Sequence, residues 1–324
     1  MRMTAAETTS DNADRPGRWA SDYHAPVMAA EVVRLLGGGG RILDGTLGGG
    51  GHSAALLEAG CAVAALDRDP EAVRIACGRL ATEQSAGRFR AYVANYAEID
   101  SIKALRGERF TGILLDLGVS SHQLDDPHRG FSFRPGAPLD MRMGSDATGT
   151  AAELLNEADE RQLIRVFRDY ADEPRAARLA REVVRRRATR PFVISDDLVG
   201  AIRAVLGPRS GPADFARLFQ AVRIEVNEEL TGLGRALPLL RGRLEPGGTL
   251  AVIAYHSGED RLVKQTFRGW STACTCPPKL PQCVCGGVAL GETVTRRAMT
   301  ASSAEVERNP RARSARLRAW RSAE

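Results

Sequence analysis

Ile42-Leu43-Asp44-Gly45-Thr46-Leu47-Gly48-Gly49-Gly50-Gly51-His52 is the stretch whose reading decides the fold of this chain. A short apolar strand ends in an acid and runs into glycines, and a helix then begins. That is how an α/β protein brings its backbone close to a nucleotide-like ligand. Outward from it, Glu31 to Leu36 reads as the end of a helix stopped by Gly37-Gly38-Gly39-Gly40. Further apolar runs lie at Ala62–Leu66, Phe89–Val93, Ile113–Leu117 and Thr249–Ile253. Helical stretches separate the early ones, among them Pro70 to Leu80 with Asp69 as its cap. Strands alternating with helices imply a parallel sheet covered on both faces.

Between about Asp125 and Pro212 the strand pattern is interrupted. Leu163, Val166, Phe167 and Tyr170 follow helical spacing, and Ala177, Ala180, Val183 and Val184 repeat it beyond Pro174. A third helix is expected from Ser195-Asp196 to Gly207-Pro208, after which the strand pattern resumes at Thr249. Thr293–Met299 is read as a closing strand, and Ala315–Trp320 as either a strand or a helix.

The 324 residues are 43% hydrophobic and 26% charged, which suits a globular chain and excludes a disordered or fibrous one. No apolar run approaches the roughly 20 residues that span a bilayer, and the N-terminus lacks the plan of a signal peptide. A protein of the cytoplasm is therefore expected. The net charge of +5 is uninformative as an average, but its placement is uneven. Arg161 to Arg190 holds ten arginines against four acids, and Glu305 to Glu324 six against three. A solvated helix face is the ordinary meaning of such runs, and contact with RNA phosphates is the functional one.

Asp67 ends the next strand about twenty residues beyond the glycine loop, where a carboxylate accepts hydrogen bonds from ribose hydroxyls. NAD and S-adenosylmethionine proteins both use such an acid. Asp44 favours S-adenosylmethionine, because a carboxylate there would repel a pyrophosphate but suits a cationic ligand. The glycine spacing also departs from G-x-G-x-x-G. Tyr96, after the third strand, suits adenine stacking and a place in the core equally well. Asp116 in Leu114-Leu115-Asp116-Leu117-Gly118-Val119-Ser120-Ser121 ends the following strand, on the edge where open α/β sheets bind ligands. A nucleobase amine is a weak nucleophile, so acceptors such as Asp116 must orient it towards the methyl donor.

These motifs, with Tyr23-His24-Ala25-Pro26-Val27, Arg129-Gly130-Phe131-Ser132-Phe133, Pro138-Leu139-Asp140-Met141-Arg142-Met143, Phe219-Gln220-Ala221-Val222-Arg223-Ile224, His256-Ser257 with Glu259-Asp260-Arg261, and Asn309-Pro310-Arg311, closely resemble the RsmH (MraW) family. Its members are bacterial small-subunit ribosomal RNA cytosine-N4 methyltransferases, and the match runs in order from Tyr23 to Arg318. The resemblance implies a class I (Rossmann-like) S-adenosylmethionine-dependent methyltransferase sheet with an inserted all-helical domain. It implies action on one cytidine in the decoding region of 16S ribosomal RNA, within the small ribosomal subunit. Donor contacts then fall on Gly50, Gly51, His52, Asp67, Tyr96, Asp116 and Gln123, with Asp44 beside them. Two departures stand out: Tyr96 where phenylalanine is common, and Tyr255 and Gly258 where Phe and Leu are usual, which puts the role of the His256 motif in question.

Asp140 is read as a second catalytic residue, accepting a base amino proton, with Arg142 beside it; a hinge role for the same motif stays open. Arg223 and Asn227, four apart on one helix face, and His256, after the strand Thr249–Tyr255, complete the candidate substrate contacts. Cys274-x-Cys276 and Cys283-x-Cys285 are spaced more tightly than zinc pairs usually are, and no metal is assigned to the site. The expected layout is a disordered tail at 1–22, a methyltransferase domain at 23–124 and 216–324, a helical substrate-recognition insert at 125–215, and a cysteine-rich loop at 274–285. The sequence sets no oligomeric state. Beside the enzyme stand two other readings: an S-adenosylmethionine-binding ribosome assembly factor without turnover, and an NAD-dependent oxidoreductase on the same sheet.

Overall fold

The computed structural model describes Trp19, residues 26–274, Cys276 and residues 287–324. Apart from Trp19, the expected tail at 1–22 lies outside the described residues, as do Tyr23-His24-Ala25 and the pair Cys283 and Cys285.

Seven strands form one sheet: β1 (Arg41–Asp44), β2 (Ala62–Asp67), β3 (Phe89–Val93), β4 (Phe110–Asp116), β5 (Leu244–Ala254), β6 (Gly291–Thr293) and β7 (Arg316–Ser322). Their order is β3-β2-β1-β4-β5-β7-β6. The first five are mutually parallel, and β7 runs antiparallel to both β5 and β6. β1 therefore lies between β2 and β4, so the chain winds out in both directions from it. This is the switch point at which doubly wound sheets open a crevice at their carboxyl edge. The strands are apolar enough to be covered on both faces: Ile42, Leu43, Leu66 and Ile113 to Leu115 have no exposed surface.

The final strand resolves the choice between strand and helix at Ala315–Trp320. Leu317, Ala319 and Trp320 are fully buried, and Trp320 packs edge-on against Trp270 at 5.0 Å. Thr293–Met299 is not one strand. Only Gly291–Thr293 pairs with β7; the chain then leaves the edge, the Ala319 N–H donates to Thr295 Oγ1, and Met299 pairs back against Leu317.

The chain divides into two compact units. One holds the sheet and comprises the described parts of Met1–Asp67, Glu71–Leu117 and Leu240–Glu324. The other is Arg68–Pro70 with Gly118–Leu239, which contains helices and no strand of the sheet. This helical unit extends past 125–215 at both ends, because the helix Pro212–Val226 buries Phe215, Leu218, Phe219, Ala221 and Val222 in its core. Its helix starts are chemically marked: the Thr150 hydroxyl accepts from the Glu153 N–H at 3.1 Å, and the Glu153 carboxylate accepts from the Thr150 N–H at 2.6 Å. The helix Glu160–Arg165 widens into a π turn at Val166–Tyr170, with Leu163, Val166 and Phe167 fully buried. In the helix Ala176–Arg187 the buried stripe is Ala176, Leu179, Ala180 and Val183, starting one residue before the exposed Ala177.

Gly130 has φ +71°, and a Cβ there would lie 2.2 Å from the Pro138 carbonyl oxygen and 2.9 Å from the Asp140 nitrogen. Gly130→Ala is expected to destabilise the helical unit by about 2 kcal/mol or more, since backbone must move on both sides of the contact. Chemical denaturation of the variant should show a clearly lower midpoint, and an unchanged midpoint would contradict this reading.

Candidate active site

Four strand ends of the sheet unit carry the site, and each ends where its sequence turns from apolar to polar. β1 delivers Asp44, β2 Asp67, β4 Asp116, and β5 leads into Tyr255 and His256. Asp44 is fully buried; its carboxylate accepts from the Ser53 hydroxyl at 2.7 Å and from the Thr46 N–H at 3.2 Å. Burial pushes its pKa up, against the lowering effects of Ser53, His52 and Thr46. Both oxygens are engaged inside the loop, so Asp44 shapes the loop and lends it negative charge.

The Gly48 N–H donates to Asp67 Oδ2 at 2.7 Å, which ties the glycine loop to the acid ending β2. Gly50 opens the helix Gly51–Glu58 at φ +75°, and a Cβ on Gly51 would sit 2.9 Å from the Pro26 ring. Those positions exclude larger residues for reasons of conformation and space. Tyr96 begins a tight turn, half-buried, its Cβ 3.2 Å from where a Cβ on Gly45 would be.

His52, on the first turn of that helix, is 4% exposed. Its Nε2 lies 3.3 Å from Asp116 Oδ2, and neither ring nitrogen completes a regular hydrogen bond among the described residues. Burial disfavours the imidazolium, but the close approach and charge of Asp116, with the charges of Asp44 and Glu305, outweigh it and raise the ring's pKa. The other oxygen of Asp116, Oδ1, accepts from the Tyr255 hydroxyl at 2.8 Å, and the Asp116 N–H donates to Thr46 Oγ1 at 2.6 Å. Burial, then Asp116, pushes the Tyr255 phenol well above its ordinary value, so it remains a donor.

His256 caps the helix Ser257–Trp270: its Nδ1 accepts from the Gly258 and Glu259 N–H groups at 3.2 and 3.4 Å, and its Nε2 lies 3.3 Å from Glu259 Oε1. At His256, Nδ1 serves the helix start, while Nε2 is buried without a hydrogen bond among the described residues.

In the helical unit the remaining candidates engage one another. Arg142 Nε and Nη2 donate to Asp140 Oδ1 and Oδ2 at 2.9 and 2.8 Å. Partial burial works to raise Asp140, yet Arg142 prevails and lowers it, so Asp140 is an ionised acceptor already holding a partner. Arg223 makes a two-pronged ion pair with Glu229 at 2.8 Å. Asn227 is 3% exposed; its oxygen accepts from the Met143 N–H at 2.8 Å and its amide donates to the Met141 and Arg223 carbonyls at 2.7 and 2.9 Å. Arg223 and Asn227 thus do not form the open polar face their spacing suggested. Asn227 holds Met141, which sits at φ +62°. Gln123 is buried, accepting from the Ser120 N–H and donating to Asp69 and the Met143 carbonyl.

Sequence reading passed over Thr46, Ser53, Asp69 and Arg129 as site-forming residues, although Arg129 donates to the buried Asp69 carboxylate at 2.8 Å. Tyr255 had a signal, its departure from the usual phenylalanine. The arginine-rich stretch is less open than its charge suggests. Arg165 pairs with Glu225, Arg185 and Arg186 with Glu182, whose carboxyl is held at about 2, and Arg187 donates to the Leu155 and Ala158 carbonyls. In the tail, Arg318 pairs with Asp260. A cleft of about 650 Å³ in the helical unit is likewise of mixed charge, with Arg165 and Arg235 facing Glu153, Glu157, Glu225 and Glu228.

A profile of the MraW methylase family matches residues 21–323. The chain is 60% identical over 308 residues to the ribosomal RNA small subunit methyltransferase H of Gemmatimonas aurantiaca, covering 95% of this chain and 98% of that one. It is 47% identical to the protein of the same name from Myxococcus xanthus, over 92% and 97% of the two chains. With Geobacter sulfurreducens the identity is 46%, over 91% and 97%. Among the described residues no helix is long and apolar enough to cross a membrane.

A raised His52 contributes stability fully below about pH 6.5 and loses it as pH rises through the higher folded midpoint. The thermal midpoint of the wild type should therefore fall towards that of His52→Gln between about pH 6 and about pH 9, and a constant gap would refute the assignment. Asn227→Ala, which strands the Met143 N–H and the Met141 carbonyl, is expected to cost about 2 kcal/mol in denaturant unfolding.

Proposed function

The chain belongs to the MraW methylase family, and from that premise we infer that it transfers the methyl group of S-adenosylmethionine to N4 of a cytidine in 16S ribosomal RNA. The observation that carries the chemistry is Asp116, held between His52 and Tyr255 at the carboxyl end of β4, beside a glycine loop tied to Asp67.

The residues present suit a cationic methyl donor. Asp44, Asp67 and Asp116 are acids ending three neighbouring parallel strands, and His52 keeps an unpartnered buried Nδ1 among the described residues. The loop at Gly48, Gly50 and Gly51 lets backbone approach a ligand, Asp67 suits ribose hydroxyls, and Tyr96 offers a ring for adenine. When bound, S-adenosylmethionine supplies a methyl group already activated on a positive sulfur.

What the protein must add is orientation. The lone pair of the cytosine amine is delocalised into its ring, so an acceptor on the N–H groups is needed to turn it towards the methyl carbon. Asp116 is that acceptor in this proposal. Transfer makes the amine far more acidic, so its proton leaves without a strong base, and proximity supplies most of the acceleration. Asp140 and Arg142, a partly exposed pair in the helical unit, are proposed as the substrate-facing group, with Asn227 and Gln123 shaping the segment that carries them. Cytosine N4 is blocked in a paired helix, so the target is single-stranded or flipped out. The proposed setting is the cytoplasm, with the small ribosomal subunit as partner.

Labelled methyl transfer to small subunits from a strain lacking the enzyme, followed by nucleoside mass spectrometry, should yield N4-methylcytidine. Its absence would exclude catalysis and leave a binding role in assembly. Asp116→Ala should lose transfer by at least about a hundredfold while remaining folded by circular dichroism; wild-type turnover would remove Asp116 from the mechanism.

A further inference from the structure

Tyr255 is absent from the donor and substrate contacts assigned above, yet its hydroxyl touches the residue on which the proposed chemistry depends. β5 pairs with β4 so that Ile253 lies beside Asp116, and Tyr255 follows two residues later at the strand end. From there Oη donates to Asp116 Oδ1 at 2.8 Å, while His52 Nε2 stands 3.3 Å from Oδ2. The phenol is itself anchored: the Tyr255 N–H donates to Glu259 Oε2 at 2.9 Å, and the ring packs on the core of the sheet unit. The backbone of Asp116 is fixed separately by Thr46 Oγ1.

A carboxylate is free to turn about its last torsion, because that torsion is broad and two-fold. One partner leaves it swinging about a single contact. Two partners on different oxygens restrict its plane. We propose that Tyr255 is a positioning residue: with His52 it fixes the plane of the Asp116 carboxylate, so that Asp116 orients the cytosine amine as a rigid acceptor. The proposal rests on the methyltransferase reading above. No proton is taken by Tyr255, which stays a donor throughout. The bond formed is between N4 and the methyl carbon, the bond broken is between that carbon and sulfur, and the surplus proton on N4 passes to solvent.

The charged and titratable groups around the pair come from every described element that packs against it. They are Asp44 from β1, His52 from the helix Gly51–Glu58, Glu259 from the helix Ser257–Trp270 and Glu305 from the helix Ser303–Arg308.

Tyr255→Phe removes one hydroxyl and keeps the ring, so folding and packing are retained. Single-turnover methyl transfer to undermethylated small subunits is expected to slow about tenfold, with S-adenosylmethionine affinity by calorimetry changed less than about threefold. A second readout needs neither donor nor RNA. In the free protein, the His52 ring followed by NMR should titrate at a higher pH in Tyr255→Phe, because Asp116 then gives its full charge to the imidazole. A role in packing alone would leave that titration where it was. An unchanged rate, or an unchanged His52 titration, overturns the proposal, provided the wild type makes N4-methylcytidine. A wild type that makes none instead overturns the methyltransferase reading on which it rests.

Discussion

Two carboxylates beside each other at a buried strand edge are the constraint around which the sheet unit is built. Asp44 has no exposed surface and Asp116 very little, and burial first, then the Asp116 charge, opposes ionisation of Asp44. His52 stands against Asp116 and within electrostatic reach of Asp44, so a single imidazole offsets the repulsion. Ser53 and Thr46 supply hydrogen bonds that burial would otherwise deny to Asp44 and to the Asp116 backbone. All three come from the loop and helix that follow β1. The glycine run is therefore more than a ligand cradle: it lets the chain turn sharply enough to return His52 and Ser53 over the acids from which it departed.

The helical unit is organised around a different point. Met141 occupies a left-handed conformation that a side chain rarely adopts, and the buried amide of Asn227 holds its carbonyl and the Met143 N–H two residues on. Arg129 adds bonds to the Arg142 and Met143 carbonyls, and Gln123 one to Met143. The result is a rigid segment whose outward product is the Asp140 and Arg142 ion pair. Strain kept at this cost is characteristic of segments that must present a fixed shape. Most of the arginines that make the unit basic are spent on carboxylates and carbonyls, so its charge is in good part structural rather than available to phosphates.

Much of this was legible beforehand. The five parallel strands follow from apolar runs, three of which end in acids, and the helices at Pro70 and Ser195 follow from proline, capping residues and spacing. Asp44, His52, Asp67 and Asp116 were visible because an acid or a histidine next to glycines at a strand end is chemically conspicuous. The partners of Arg223 and Asn227 were not legible, for an equally physical reason. Helical spacing says which residues share a face, but not whether that face meets water or the rest of the unit.

The sequence by itself determined the sheet, the glycine loop and the set of acids, since these depend on local periodicity, backbone freedom and residue type. Only the tertiary structure decided their partners. That Tyr255 reaches Asp116 depends on the β4–β5 register, that His256 Nδ1 caps a helix start depends on the chain's angle there, and that Asn227 serves Met141 depends on packing across 86 residues of chain. Hydrogen bonds between side chains are short-ranged and directional, so a sequence can name the groups that need partners, but only the folded chain brings a particular donor to a particular acceptor.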